Sequence, residues 1–288
     1  RYYRADGTPA GDNYGNFSDA PIERHESEVD NQLQLIKFSR EEGKDIILAN
    51  FQMHPHRNGG SKNLNMTADI PGVFRTELEN QLDVNVVYFT GASGNVHIDS
   101  EIESDAHNLP WDAYGEKMAE LTQQALPLLQ NVGGTGIEVA QTKYVATIDH
   151  TWDPMVAQAQ EVMNVVGTVG TSAAANLCET YGFTSHHQAR TIIERSKLGR
   201  ILQCDLPAFR VGDVGFANYP YEMWAESGKY VKDNSPFDVT FVITCNIIYT
   251  PMEYAFEYRS YEADTSYFVK GTAEKLADEY VAMLNSLK

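Results

Sequence analysis

Long apolar runs are missing from this chain of 288 residues. No uninterrupted stretch approaches the roughly 18 residues a membrane-spanning helix requires. The opening Arg1-Tyr-Tyr-Arg also lacks the charged-then-apolar pattern of a secretion signal. A soluble protein is expected, with the compartment, secreted or cytoplasmic, left open. The first residue is not Met, so whether a removed signal or an upstream segment precedes this sequence is left open. Basic residues are scarce: 22 Lys and Arg face 40 Asp and Glu, and the net charge of −18 would repel nucleic-acid phosphates and anionic membranes. Nucleic acid is therefore excluded as a partner, and the acidity serves solubility or the attraction of cations. Cysteine is rare too. Cys178, Cys204 and Cys245 are odd in number and form no C-x-x-C pair, which argues against a disulfide framework or a cysteine zinc site and leaves them as buried thiols. Neither repeats nor low-complexity tracts are found.

What is present is an ordinary globular composition, 42% apolar, enough for a sizeable core. Residues 1–30 are polar, rich in Gly, Asp and Asn, and without a helical or strand period; they are expected to form an extended arm lying against the rest. From Val29 the pattern changes. Leu33 to Phe38 and Ile46 to Phe51 predict two strands around a turn at Glu41-Glu-Gly-Lys44, Pro71 suits the first turn of a helix, and Val84 to Phe89 predicts a buried strand. Residues 111–130 carry Met118, Leu121, Ala125, Leu128 and Leu129 at helical spacing, with Pro127 a possible kink. The stretch 155–197 reads as helical, broken at Gly167, Gly170 and Gly182, and is expected to be an insertion or lid. Phe209–Phe216 and Phe237–Thr244 predict strands, and Leu276, Tyr280 and Leu284 mark a last helix. The expected fold is α/β: a single domain over 31–288 with a mixed sheet flanked by helices.

Four places bear residues suited to chemistry. His54-Pro-His56 follows directly on a strand, a rigid mount for a metal ligand, although Pro55 turns the chain and the two rings need not reach one ion. Gly91-Ala-Ser-Gly-Asn-Val-His97-Ile-Asp99 is a glycine-rich loop after a buried strand, where backbone can approach a ligand and Ser93, His97 and Asp99 supply polar groups. A serine hydrolase using Ser93 and His97 is one reading, but the second glycine of a nucleophile elbow is missing at its spacing. Glu222, after another apolar strand, is a carboxylate whose burial is costly unless paired or coordinated, whereas Glu226 is expected on a solvated helix face. The tyrosines from Tyr249 to Tyr267 line a cleft or fill the core. His, Glu and Tyr at three strand ends make an N/O donor set that Zn²⁺ accepts.

In this order the residues resemble the neutral/alkaline non-lysosomal ceramidases and their bacterial hydrolase relatives. The blocks are Asn50-Phe-Gln-Met-His54-Pro with Ala68-Asp69-Ile-Pro-Gly72; Gly91-Ala-Ser-Gly-Asn95-Val; Arg210-Val-Gly-Asp213 through Pro220-Tyr-Glu222; Ser235-Pro-Phe237; Tyr249-Thr-Pro251; Ser260-Tyr261-Glu262; and Gly271-Thr-Ala-Glu274. The resemblance implies a ceramidase catalytic-domain fold, zinc held by His54, Glu222 and Tyr249, Tyr261 as donor to the developing oxyanion, and Asp69, Gly94 and Asn95 at the substrate. It implies hydrolysis of the amide of an N-acyl, lipid-like small molecule, with zinc lowering the pKa of a water towards about 7. Two departures stand out. The family carries a serine where this sequence has His97, which is thereby expected to act as a general base or a further ligand. The family's fourth zinc ligand comes from a segment upstream of the His54 block that His25 and its neighbours do not resemble, so a missing N-terminal segment or an incomplete site is expected. The alternatives are a non-ceramide hydrolase, or an inactive relative that binds a ligand in the old pocket.

Overall fold

The computed structural model describes residues 2–11, 22–26, 28–58, 66–97, 109–244 and 248–288. Two of the residues singled out above, Asp99 and Cys245, lie outside that set. The part expected as an extended arm carries three short antiparallel strands in the order β2-β1-β3: β1 (Tyr2–Tyr3), β2 (Pro9–Gly11) and β3 (Arg24–His25). The arm lies against the body through polar contacts: Glu26 accepts from Tyr258 at 2.8 Å, Asp30 pairs with Lys232 at 2.6 Å, and Asp30 N donates to Gln52.

The expected α/β architecture is present, with its mixed pairing divided between two sheets. In the first, β4 (Gln34–Phe38) and β5 (Ile46–Phe51) form the anticipated hairpin. The chain then crosses through α1 (Asp69–Leu82) to bring β6 (Asn85–Thr90) parallel to β5. The α1 face that covers this sheet is Ile70, Phe74 and Leu78, four residues apart and fully buried. Against α1 lies α2 (Trp111–Ala125), followed by a 3-10 turn, Leu126–Leu128, that contains Pro127. The buried side of α2 is Met118, Ala119 and Thr122; Leu121 and Leu128, expected in the core, are exposed.

The second sheet begins with β7 (Ile137–Thr147), a strand whose alternating polar side chains gave no apolar run to read. A helical unit follows, α3 (Val156–Thr168), α4 (Thr171–Tyr181) and α5 (His186–Arg195), with its own core of Ala159, Val162, Ala174, Cys178, Phe183, Ala189 and Ile192. Gly167 lies inside α3 rather than breaking it, while Gly170 and Gly182 flank α4 as expected. The chain returns through β8 (Ile201–Val211) and β9 (Val214–Tyr219). Phe209–Phe216 is thus not one strand but the tip of a hairpin, because Gly212 takes a left-handed backbone (φ 55°) that reverses the chain. Next come β10 (Glu222–Met223), α6 (Ala225–Asp233), β11 (Val239–Thr244), β12 (Tyr249–Thr250), α7 (Tyr261–Thr265) and α8 (Thr272–Ser286). The sheet order is β11-β9-β8-β7, with β11 parallel to β9, and α8 covers one face with Leu276, Tyr280 and Leu284 fully buried.

The two sheets meet at Asn50, 1% exposed, whose amide donates to Phe89 O in one sheet and Val242 O in the other, both at 3.0 Å. Phe216 and Phe241 pack there against Leu48 and Phe89. Cys178 is buried, and burial pushes its thiol pKa up; Cys204 is only half-buried. Among the described residues no helix is long and apolar enough to cross a membrane.

Candidate functional site

Two parallel strand pairs end at one place. Because β5 and β6 run the same way, with Phe51 opposite Thr90, the segments after both strands emerge side by side, and His54 N donates to Val96 O at 3.3 Å. The rings of His54, His56 and His97 therefore cluster, with centroids 4.7 Å apart for His54 and His56, 5.2 Å for His54 and His97, and 4.4 Å for His56 and His97. In the other sheet β9 and β11 are parallel, and the chain beyond each continues into the short pair β10 and β12, where Glu222 and Tyr249 are Cα partners. Residues in register on parallel strands share a face, so the side chains of Glu222 and Tyr249 leave their strands on the same side. The two ends are joined by Gly94 N, which donates to Met223 O at 2.8 Å. A Cβ at Gly94 would sit 3.0 Å from Trp224 and 3.1 Å from two carbonyl oxygens, so this position needs glycine for the close approach.

Glu222 is 7% exposed. Its Oε1 lies 3.2 Å from His54 Nδ1, an ion-pair distance, but receives no hydrogen bond among the described residues. A buried carboxylate oxygen in that condition is costly unless a cation or a proton donor reaches it. His54 N, Glu222 O and the Tyr249 phenol together suit Zn²⁺ by donor type, and the orphaned oxygen is where the set is open. Among the described residues no three His, Cys, Asp or Glu side chains have an arrangement that could hold a metal ion; the expected set contains only two such residues, with a tyrosine as the third donor.

Tyr261, 41% exposed, stands T-shaped to Tyr249 with centroids 5.9 Å apart. The tyrosine run is thus partly an aromatic wall at the site. Burial first, then the neighbouring His56 and His54, pull the pKa of His97 down to about 4, so its imidazole is neutral at physiological pH. Ser93 is only 2% exposed, which leaves its hydroxyl little access to a substrate.

The residues expected at the substrate are engaged in holding loops. Asp69 has a left-handed backbone (φ 50°), and its carboxylate accepts from Asn58 N at 2.5 Å and Ile70 N at 2.8 Å, fixing the loop that carries His54 and His56. Asn95 accepts from Ala225 N at 2.8 Å and donates to Glu226 at 3.0 Å, capping α6 from outside its own chain segment. Glu226 is accordingly not on a solvated face as expected: it is half-buried and also accepts from Tyr254 at 2.7 Å. No sequence signal linked it to Asn95, 131 residues away. Sequence reasoning also missed His187, whose ring lies 5.5 Å from that of Tyr261; the only cue was the His186-His187 pair at a helix start. A groove of about 780 Å³ between the arm and α6, lined by residues such as Glu26, Asp30, Lys229 and Lys232, contains none of these site residues.

The fold is similar to that of neutral ceramidase from Pseudomonas aeruginosa, with a TM-score of 0.61 over 90% of this chain and 47% of that one, at 12% identity. It is similar also to a structure described as ceramidase complexed with C2, with a TM-score of 0.55 over 84% of this chain and 46% of that one, at 11% identity. The chain thus spans about half the length of these structures. No protein-family model and no curated protein matches the sequence.

Proposed function

We propose that this chain carries the catalytic site of a zinc-dependent hydrolase that cleaves the amide bond of an N-acyl, ceramide-like substrate. The observation that carries the reading is the convergence of segments from the ends of two parallel strand pairs on the buried Glu222, whose Oε1 is left without a hydrogen bond 3.2 Å from His54. The ceramidase-like fold supports it. His54, Glu222 and Tyr249 would hold the ion, which when bound polarises a carbonyl and makes a nucleophile available at neutral pH.

The chain's own groups supply the rest. Tyr261, exposed beside Tyr249, donates a hydrogen bond to the carbonyl oxygen as negative charge develops there. His97 is neutral, the form in which a ring nitrogen accepts a proton from the attacking water and returns it to the departing amine. Asp69, Gly94 and Asn95 act at the substrate indirectly, by holding the two loops together.

The test is release of fatty acid from an N-acyl substrate by the chain as purified, after chelation, and after zinc is restored. Activity should disappear with the chelator and return with zinc. Tyr261→Phe should lower kcat by about 100-fold, the size of losing one oxyanion donor, with unchanged zinc content. Hydrolysis that survives chelation would overturn the proposal.

A further inference from the structure

The helical unit α3–α5 supplies none of the groups around Glu222, yet it delivers a side chain to their margin. His187, the second residue of α5, meets Tyr261 at a centroid distance of 5.5 Å and an interplanar angle of 82°. Tyr261 in turn meets Tyr249, so the row His187, Tyr261, Tyr249 runs from the insertion to the partner of Glu222. His187 is half-buried and its ring contacts are aromatic, with His186 at 4.0 Å and with Tyr261. Among the described residues no hydrogen bond engages its nitrogens.

This placement is fixed by a buried polar latch. Gln188, the next residue, is 0% exposed; its Nε2 donates to Asp264 Oδ1 at 3.3 Å, and its Oε1 accepts from Arg259 Nη2 and Thr184 N, both at 2.9 Å. Thr184 Oγ1 donates to Asp264 Oδ2 at 2.5 Å. Asp264 lies on α7 three residues after Tyr261, so the latch joins the start of the helix bearing His187 to the helix bearing Tyr261. At the other end of α5, Arg195, 3% exposed, donates to Ser266 O at 2.9 Å and to Asp149 at 3.1 Å. The Gln188, Thr184, Arg259 and Asp264 part of this network is satisfied and rigidifies a single arrangement, whereas Arg195 Nε has no hydrogen-bond partner among the described residues.

We infer that His187 is a specificity-determining residue that borders the substrate beside Tyr261 and hydrogen-bonds a hydroxyl group carried next to the scissile amide. The inference rests on the hydrolase reading above for the position of that amide. A neutral imidazole offers one donor and one acceptor, as a hydroxyl does. Burial, followed by His186 and Arg190, holds the His187 pKa below the ordinary imidazole value and so favours that form. An acyl chain against the same ring would leave its nitrogens unpaired.

Two isosteric amides provide the test: N-octanoylethanolamine and N-propyloctanamide, which differ in a terminal hydroxyl against a methyl. Equilibrium binding of each to the chain as purified is compared with binding to His187→Phe, which keeps a ring but no hydrogen bond, and to His187→Asn, which keeps a donor and an acceptor. The unmodified chain should bind the hydroxylated amide about five- to tenfold more tightly, the range of one net hydrogen bond. The preference should fall to about one in the Phe variant and be partly kept in the Asn variant. Equal binding of the two amides by the unmodified chain, an unchanged preference in the Phe variant, or binding of neither amide overturns the inference. Chelator-sensitive hydrolysis is scored separately, so intact discrimination without hydrolysis removes the hydrolase reading alone.

Discussion

Glu222 concentrates the energetic question at the scale of the residue. A carboxylate held at 7% exposure with one oxygen lacking a hydrogen bond weakens the metal-free fold and becomes an asset only with a cation beside it. Glu222→Gln removes that charge. Without zinc the variant is therefore expected to be at least as stable as the unmodified chain, by about 1 kcal/mol, and to gain nothing when zinc is added. Urea unfolding with and without zinc reads both effects, and a metal-free variant clearly less stable than its parent would contradict the account. His97→Ala is expected to reduce turnover of an N-acyl substrate far more than zinc content; equal loss of both would make His97 a ligand instead. His54 and Glu222 stood out in the sequence because each follows an apolar strand, whereas Tyr249 was singled out from its tyrosine-rich run only by the resemblance. The partners of Asn95 and Glu226 were not, since a helix capped from another segment leaves no local signal.

Among the elements, the informative junction is that between α5 and α7. Replacing Gln188 by Leu strands Asp264 and Arg259 without their buried partner. The expected cost is about 1–3 kcal/mol of stability. Because Tyr261 rides on α7, kcat should also fall while zinc content holds; urea melts, kinetics and elemental analysis together check this. A stability loss with unaltered kcat would make the latch a structural device only. The elements themselves were legible where their apolar period was plain: the β4–β5 hairpin, β6, and α8 with Leu276, Tyr280 and Leu284. The antiparallel β7–β8 pair was not, because β7 mixes Glu138, Gln141 and Lys143 with modest apolar residues and its partners in β8 lie 54 (Thr147 to Ile201) to 74 (Ile137 to Val211) positions away. Parallel pairing, which brings all four strand ends to one margin, is likewise a tertiary fact.

The molecule as a whole is rich in buried phenols. Burial is the main cause that pushes the pKa values of Tyr88, Tyr219 and Tyr221 well up, and that of Tyr267, which also donates to Glu194, up to about 12. A folded-state pKa raised above the unfolded value, near 10, gives stability that is complete below pH 10 and lost as pH rises through the folded values. Unfolding free energy should therefore stay level to about pH 9 and drop steeply above about pH 10, with the share of tyrosinate absorbance that belongs to the buried phenols appearing together with the loss of fold. Complete tyrosinate absorbance reached while the chain is still folded would contradict this. The central claim, that this fold builds a zinc site at the joined ends of its parallel pairs, is tested most directly by zinc per chain. Elemental analysis after equilibration with zinc and removal of the unbound ion would compare the unmodified chain with His54→Ala and Glu222→Gln. The account predicts about one zinc in the first and little in either variant; equal zinc in all three, or none in the unmodified chain, would contradict it.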